Sequence, residues 1–178
     1  MVLSGAMIGE QKSRNPGFSM IDVRQVDYRD GIDRQAFLEV LDAYSRDPMG
    51  AGHPLAEDVR ARLCDDLSQI PSAVSFLAWA DDVPVGLING FFGYSTFKAL
   101  PLMNVHDIAV MPQWRGQGVG KLLLQALQDH ACQQGCCKLT LEVLSGNQRA
   151  RQAYLAFGFE DYALDPEVGT AMFMQKWL

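Results

Sequence analysis

From Asn104 to Lys121 the chain reads Asn-Val-His-Asp-Ile-Ala-Val-Met-Pro-Gln-Trp-Arg-Gly-Gln-Gly-Val-Gly-Lys. A short apolar run ends at a proline-marked turn, and three alternating glycines lead into a helical pattern. Gly116, Gly118 and Gly120 leave backbone N–H groups uncovered where a helix begins. Such N–H groups lack internal partners and carry partial positive charge, so the loop is suited to phosphate. Arg115 and Lys121 add charge at its edges. Two common phosphate-binding designs fail here. A P-loop needs Gly-x-x-x-x-Gly-Lys-Ser/Thr, but Arg115 stands where the first glycine belongs and Leu122 where the hydroxyl belongs. A dinucleotide fingerprint needs Gly-x-Gly-x-x-Gly, and its third glycine would fall on Lys121 or Leu123.

Downstream lies a second pattern, Leu139-Thr-Leu-Glu-Val-Leu-Ser-Gly-Asn147, then Ala150, Ala153-Tyr154 and Gly158-Phe159. Taken with Arg115-x-x-Gly118-x-Gly120, it resembles the GCN5-related N-acetyltransferase (GNAT) superfamily in the order of its elements over roughly 20–178, and specifically over 104–159. The resemblance implies an α/β (α+β) fold: a mixed, mostly antiparallel central sheet flanked by helices, with strands 4 and 5 splayed to hold the cofactor. It implies acetyl-CoA as acetyl donor. The cofactor would contact Ile108, Ala109 and Val110 on the fourth strand, Arg115, Gly116, Gln117, Gly118, Val119, Gly120 and Lys121 in the loop, and Asn147.

Transfer of an acetyl group to an amine needs a held thioester, a neutral amine, a stabilised oxyanion and a proton for the departing thiolate. The resemblance implies that the Val110 N–H faces the thioester oxygen. Tyr154 is the candidate acid: it follows Asn147 by about two helical turns, so both share one helix face, and a phenol of pKa ~10 can protonate a thiolate. Asn147 also suits an N-cap. For the base, Asn104, His106 and Asp107 are the candidates. His106 is favoured because imidazole titrates near neutrality, with Asp107 the alternative. Strict alternation puts His106 and Asp107 on opposite faces, so both reach one cleft only across a bulge.

The acceptor site should be framed by residues 45–56 and the aromatic run Phe91–Phe97. Asp47, Glu57 and Asp58 would attract a cation, and Phe92 or Tyr94 would cover one. The net charge is −6; residues 1–101 carry 14 acidic against 9 basic residues, and residues 102–178 carry 7 against 6. The acidic first part favours a small cationic primary amine as acceptor and argues against nucleic acid as partner. Direct attack in a ternary complex is expected, since no Cys or Ser stands beside the cleft strand. Peptide or protein N-acetylation, and a non-catalytic acyl-CoA-binding module of the same fold, are the alternatives.

These residues need a scaffold. Alternation and turn chemistry predict strands at 21–26, 73–80, 84–96, 103–111 and 138–144, and helices at 30–45, 55–69, 117–133 and 147–157. Two further strands are expected near 159–163 and 170–177. Residues 1–19 read as a flexible leader before one acetyltransferase domain, 20–178. A hydrophobic content of 48% with 20% charged residues describes an ordinary globule. No run is long and apolar enough for a membrane span and no secretory signal is evident, so no membrane partner and a cytoplasmic location are expected; a homodimer is compatible with all of this. The four cysteines lack metal-ligand spacing, so no metal is expected. Cys132 and Cys136, four apart, read as reduced buried thiols.

Overall fold

The computed structural model describes residues 20–162 and 172–177. Its frame is a five-stranded sheet in the order β1 (Ile21–Gln25), β2 (Ala73–Ala80), β3 (Val83–Ser95), β4 (Leu100–Val110), β5 (Leu139–Leu141). Every pairing is antiparallel except β4 with β5. Helices α1 (Gly31–Ser45) and α2 (Glu57–Ser68) precede β2, α3 (Val119–Gln133) crosses from β4 to β5, and α4 (Gln148–Phe157) follows. The mixed, mostly antiparallel sheet is the expected one.

Two cores lie on the two faces of the sheet. On one, Phe37 and Val40 of α1 and Cys64 and Leu67 of α2 pack with Leu77, Trp79, Leu87 and Ala109. On the other, Val119, Leu123, Leu124, Leu127 and Ala131 of α3 pack with Phe76, Ala78, Ile88, Met103 and Val105. Leu123 and Leu127 are fully buried, and truncating either to alanine should cost about 2–5 kcal/mol. The buried side of α3 ends at Ala131, so Cys132 falls off it and is exposed, contrary to expectation; Cys136 is half-buried.

The feature that shapes the site is a bulge. Asn89 pairs with Asp107, but the next residue, Gly90, pairs with Val105, which leaves His106 as an extra residue of β4. Before the bulge Met103 and Val105 face α3; after it Ile108 and Val110 do, and Ala109 faces α1. Side-chain alternation is thus reset by one residue. Gly90 sits opposite, where a Cβ would come within 2.7 Å of Met103 Sδ and 2.8 Å of Leu127 Cδ1. Close approach is what glycine supplies here.

The β4–β5 ladder runs only from Met103–Leu139 to Val105–Leu141. Beyond it the strands part, which is why β5 is three residues long instead of the expected seven. Asn104, at the middle of that ladder, adds side-chain bonds by donating to Thr140 Oγ1 at 3.2 Å and to Glu142. The two closing strands differ from expectation: residues 159–162 and 172–177 carry no ladder bonds among the described residues, and the turn that would join them, 163–171, lies outside the described residues. Residues 1–19 lie outside them as well.

Candidate active site

The parted strands open a cleft of about 800 Å³ between β4, the start of α3 and α4. One end is built by the glycine loop. Gly116 and Gly118 have φ of +81° and +84°, a left-handed backbone that costs other residues about 1–2 kcal/mol. Gly118 is also the N-cap of α3 and can offer no side-chain cap, so the first N–H groups of the helix stay open to the cleft. Gly120 serves differently. Its φ is ordinary, and a Cβ there would meet only Val110 Cγ2, at 3.8 Å; the protein leaves that space to whatever enters the cleft. Lys121 and Arg149 also line the cleft, while Ile108, Val110, Trp114, Leu124, Ala153 and Phe157 make apolar walls. Open N–H groups, two cations and an apolar corridor fit a pyrophosphate with a long thioester arm.

The middle of the cleft is an unpaired strand edge. The Met111 N–H donates to Val85 O at 2.9 Å. Successive N–H groups of a strand point to opposite edges, so the Val110 N–H points away from β3 into the gap where β5 has departed. Tyr154 of α4 reaches the cleft opposite it, its ring edge-on to Phe159 at 5.8 Å. Burial, helped by the nearby Tyr44 phenol, pushes the Tyr154 pKa up to about 12. Asn147 caps α4, its Oδ1 accepting from the Ala150 N–H at 3.1 Å, and lines the cleft.

The far end is assembled from more distant parts. The loop after α1 folds back on it: Ser45 Oγ donates to His53 O at 2.7 Å, and Asp42 Oδ1 accepts from the Leu55 N–H at 2.9 Å. This sets Tyr44, Asp47 and Met49 along the cleft. Asp47 meets the cofactor loop directly. Arg115 spans the two, donating from Nε to Val110 O at 3.0 Å and from NH2 to Asp47 Oδ2 at 2.7 Å. The Met49 N–H, then the Arg115 guanidinium, hold the Asp47 carboxyl below the usual carboxylate range. Burial raises the Tyr44 phenol, and the negative charges of Asp107 and then Asp47 raise it further. Tyr44, Asp47 and Tyr154 all line the cleft.

The pattern of residues 37–159 matches the acetyltransferase (GNAT) family. The chain belongs to that family. A thialysine N-epsilon-acetyltransferase of Bos taurus is 39% identical over 71 residues, which is 40% of this chain and 41% of the relative. A mycothiol acetyltransferase of Kytococcus sedentarius is 30% identical over 139 residues, 78% of this chain and 46% of the relative. The matched region thus spans less than half the length of those two relatives. Among solved structures, an aminoglycoside N-acetyltransferase in complex with CoA superposes with a TM-score of 0.69 at 23% identity, over 92% of this chain and 99% of that one. The likeness to that structure is one of fold.

Within this GNAT frame most of the residues singled out by sequence come together. Ile108, Ala109, Val110, Arg115, Gly116, Gly118, Val119, Gly120, Lys121, Asn147 and Tyr154 all line the cleft. Gln117 does not; its amide turns back to donate to Gln113 O. His106 and Asp107 lie just past the lining on β4, and the bulge brings both to the α1 side. His106 is exposed there, edge-on to Phe91 at 5.3 Å. The expected acidic rim is thinner than charge counting implied. Asp42 is paired by Arg46 and Arg60, and Asp47 by Arg115, while Glu57 and Asp58 stand in the first turn of α2. Phe92 packs among the α3 core, with its ring beside His130, and Tyr94 is exposed outside the cleft. Met49 falls within the expected frame 45–56, whereas Tyr44, Trp114 and Arg149 were not anticipated, and only Tyr44 carried a hint, as the last aromatic of a helix entering an acidic loop.

Proposed function

We propose that this protein is an acetyl-CoA-dependent N-acetyltransferase acting on a primary amine, a small cationic one, by direct attack in a ternary complex. The observation that carries the reading is the single cleft with an uncapped helix start and two cations, Lys121 and Arg149, in its lining, and Asp107 one residue past that lining on β4, with no Lys or Arg within 4 Å of it among the described residues. Acetyl-CoA, when bound, supplies the activated acetyl group and a thiolate to leave. The start of α3, with Lys121 and Arg149, holds its phosphates. The Val110 N–H donates to the oxygen on which charge develops.

Tyr154 is fully protonated at neutral pH and holds its proton ready for the departing sulfur. Its pKa of about 12 stands well above the ~8.5 of an ordinary thiol, so complete transfer is uphill. Donation of a hydrogen bond to the developing thiolate is the role its environment supports. Asp107 holds the incoming ammonium, and His106, exposed beside it on the same face, accepts the proton that the amine must lose. Relatives named for thialysine and aminoglycoside acetylation support an amine acceptor.

The test is CoA-thiol release measured against a panel of diamines, amino acids, aminoglycosides and peptides. Small cationic amines should give the highest kcat/KM. A long peptide as best acceptor overturns the small-amine assignment, and no turnover across the panel favours an acyl-CoA-binding module.

A further inference from the structure

Among the described residues, the buried polar side chains include Asp33, Ser45, Ser75 and Asn89. Two have local work. Asp33 accepts from the Asp27 N–H and pairs with Arg24; Ser45 pins the loop. Ser75 and Asn89, 2% and 5% exposed, support no turn or cap. They are directly opposite each other on β2 and β3, and Asn89 is directly opposite Asp107 on β4. Together they form a polar row across a face otherwise built from Leu77, Leu87 and Ala109.

The row is hydrogen-bonded throughout, and its direction follows from chemistry. Asp107 Oδ2 lies 2.9 Å from Asn89 Nδ2; an ionised carboxylate only accepts, so the amide nitrogen must face it. Asn89 Oδ1 then faces Ser75 Oγ at 2.5 Å and can only accept, so the serine proton is committed to it. Tyr28 Oη, 2.6 Å from Ser75 Oγ, must therefore donate to the serine. Tyr28 is itself 9% exposed and its phenol is raised mainly by burial, so it keeps the proton it donates. Every donor in the chain points toward Asp107.

A buried polar group left unpaired costs about 1–3 kcal/mol, so an apolar Ala or Val at positions 75 and 89 would make a simpler core. What the row accomplishes is at its end. Asp107 is the one residue of it next to the cleft, immediately before Ile108 of the lining, its charge acts on Tyr44 of the cleft wall, and the bulge at His106 is what turns it to this face.

We propose that Asn89 and Ser75 are positioning residues for amine recognition, which with Tyr28 form a one-way donor chain fixing the Asp107 carboxylate at the acceptor end of the cleft. This rests on the acetyltransferase reading above. The cation is gripped by an oxygen whose partner oxygen is already held from the core, and the grip depends on a hydroxyl two residues removed from it.

The experiment compares Ser75→Ala, Ser75→Thr and Tyr28→Phe with the wild type by steady-state kinetics, acetyl-CoA calorimetry and the Asn89 side-chain amide signals in NMR. Ser75→Ala should move the Asn89 amide signal and raise KM for 1,4-diaminobutane roughly tenfold, the scale of one strong hydrogen bond, while acetyl-CoA affinity stays within twofold. Ser75→Thr, which keeps the hydroxyl, should restore both, and Tyr28→Phe should show the same pattern more weakly. A moved Asn89 signal with unchanged amine KM overturns the proposal and leaves the row a structural filler. If the wild type turns over no amine, the enzymatic reading falls by itself. The positioning claim is then read from 1,4-diaminobutane titrated onto the wild type: a saturable Asn89 shift, weakened in Ser75→Ala, upholds it, and none overturns it.

Discussion

The two ends of the cleft are built on opposite plans. The proposed phosphate end comes mostly from one stretch, Arg115–Lys121, in which two left-handed glycines and an uncapped helix start offer backbone groups, with Arg149 of α4 as the one contributor from elsewhere. The proposed acceptor end draws on Tyr28, Tyr44, Asp47, Ser75, Asn89, His106 and Asp107, gathered from the turn before α1, α1 itself, the loop after it and three strands, and relies on side chains. A group common to all substrates of one kind can be met by backbone geometry. A variable acceptor calls for side chains, which can be exchanged singly.

The sharpest way to break this contrast is at Gly120. Gly120→Asp has room to fold, since only Val110 Cγ2 is near, yet it sets a carboxylate among the open N–H groups. Loss of a few bonds at ~1 kcal/mol each, with repulsion added, should weaken acetyl-CoA binding by roughly 100-fold or more in a protein of normal melting temperature. Unchanged calorimetric affinity would remove the phosphate assignment. Gly118 is a poorer probe, because its φ of +84° adds strain to any substitution.

Between the ends, Tyr154→Phe should lower kcat by ~10² and leave acetyl-CoA affinity within a few fold. The same variant reports the ionisation. The folded pKa is raised, so the contribution of the buried phenol to stability is complete below pH ~10 and is lost as pH climbs through about 12. Phenolate absorbance, wild type minus variant, should show that phenol still protonated at pH ~10.5. Ionisation near 9 would contradict the burial.

At the acceptor end, His106→Gln should reduce kcat by ~10–100-fold near neutrality. The deficit should shrink as pH nears ~10, where an alkylamine loses its own proton. A deficit constant with pH would demote His106 to packing on Phe91. The smallest effect separates the ends electrostatically. Amine KM should rise two- to threefold between roughly 0.05 and 0.3 M salt, as screening shortens to below ~10 Å. A flat response would favour a neutral acceptor.

The same contrast explains what could be read before the structure. That the glycine loop, Asn147 and Tyr154 line one cleft was legible because their placement depends on short spacing: alternating glycines before a helix, and two helical turns from cap to phenol. The acceptor end was legible only as a list of candidates. Alternation along β4 forbade His106 and Asp107 from sharing a face, and the bulge that permits it is created by pairing with Asn89 and Gly90, some 17 positions earlier. Ser75 and Asn89 read as ordinary strand residues, since only register shows that they touch. Of the expected acidic rim, Asp47 is neutralised by Arg115, a pairing across 68 positions that charge counting could not see.

The donor chain behind Asp107 also governs where protons can travel. Tyr28 and Ser75 could each pass a proton along, but the Asn89 amide between Ser75 and Asp107 does not readily give one up or take one on. The core therefore acts as an insulator: it fixes the carboxylate and offers the proton shed by the amine no inward route. In the proposed reaction that proton leaves on the solvent side, across the exposed His106 ring, so each turnover would discharge to bulk water and leave the interior in the state in which it began.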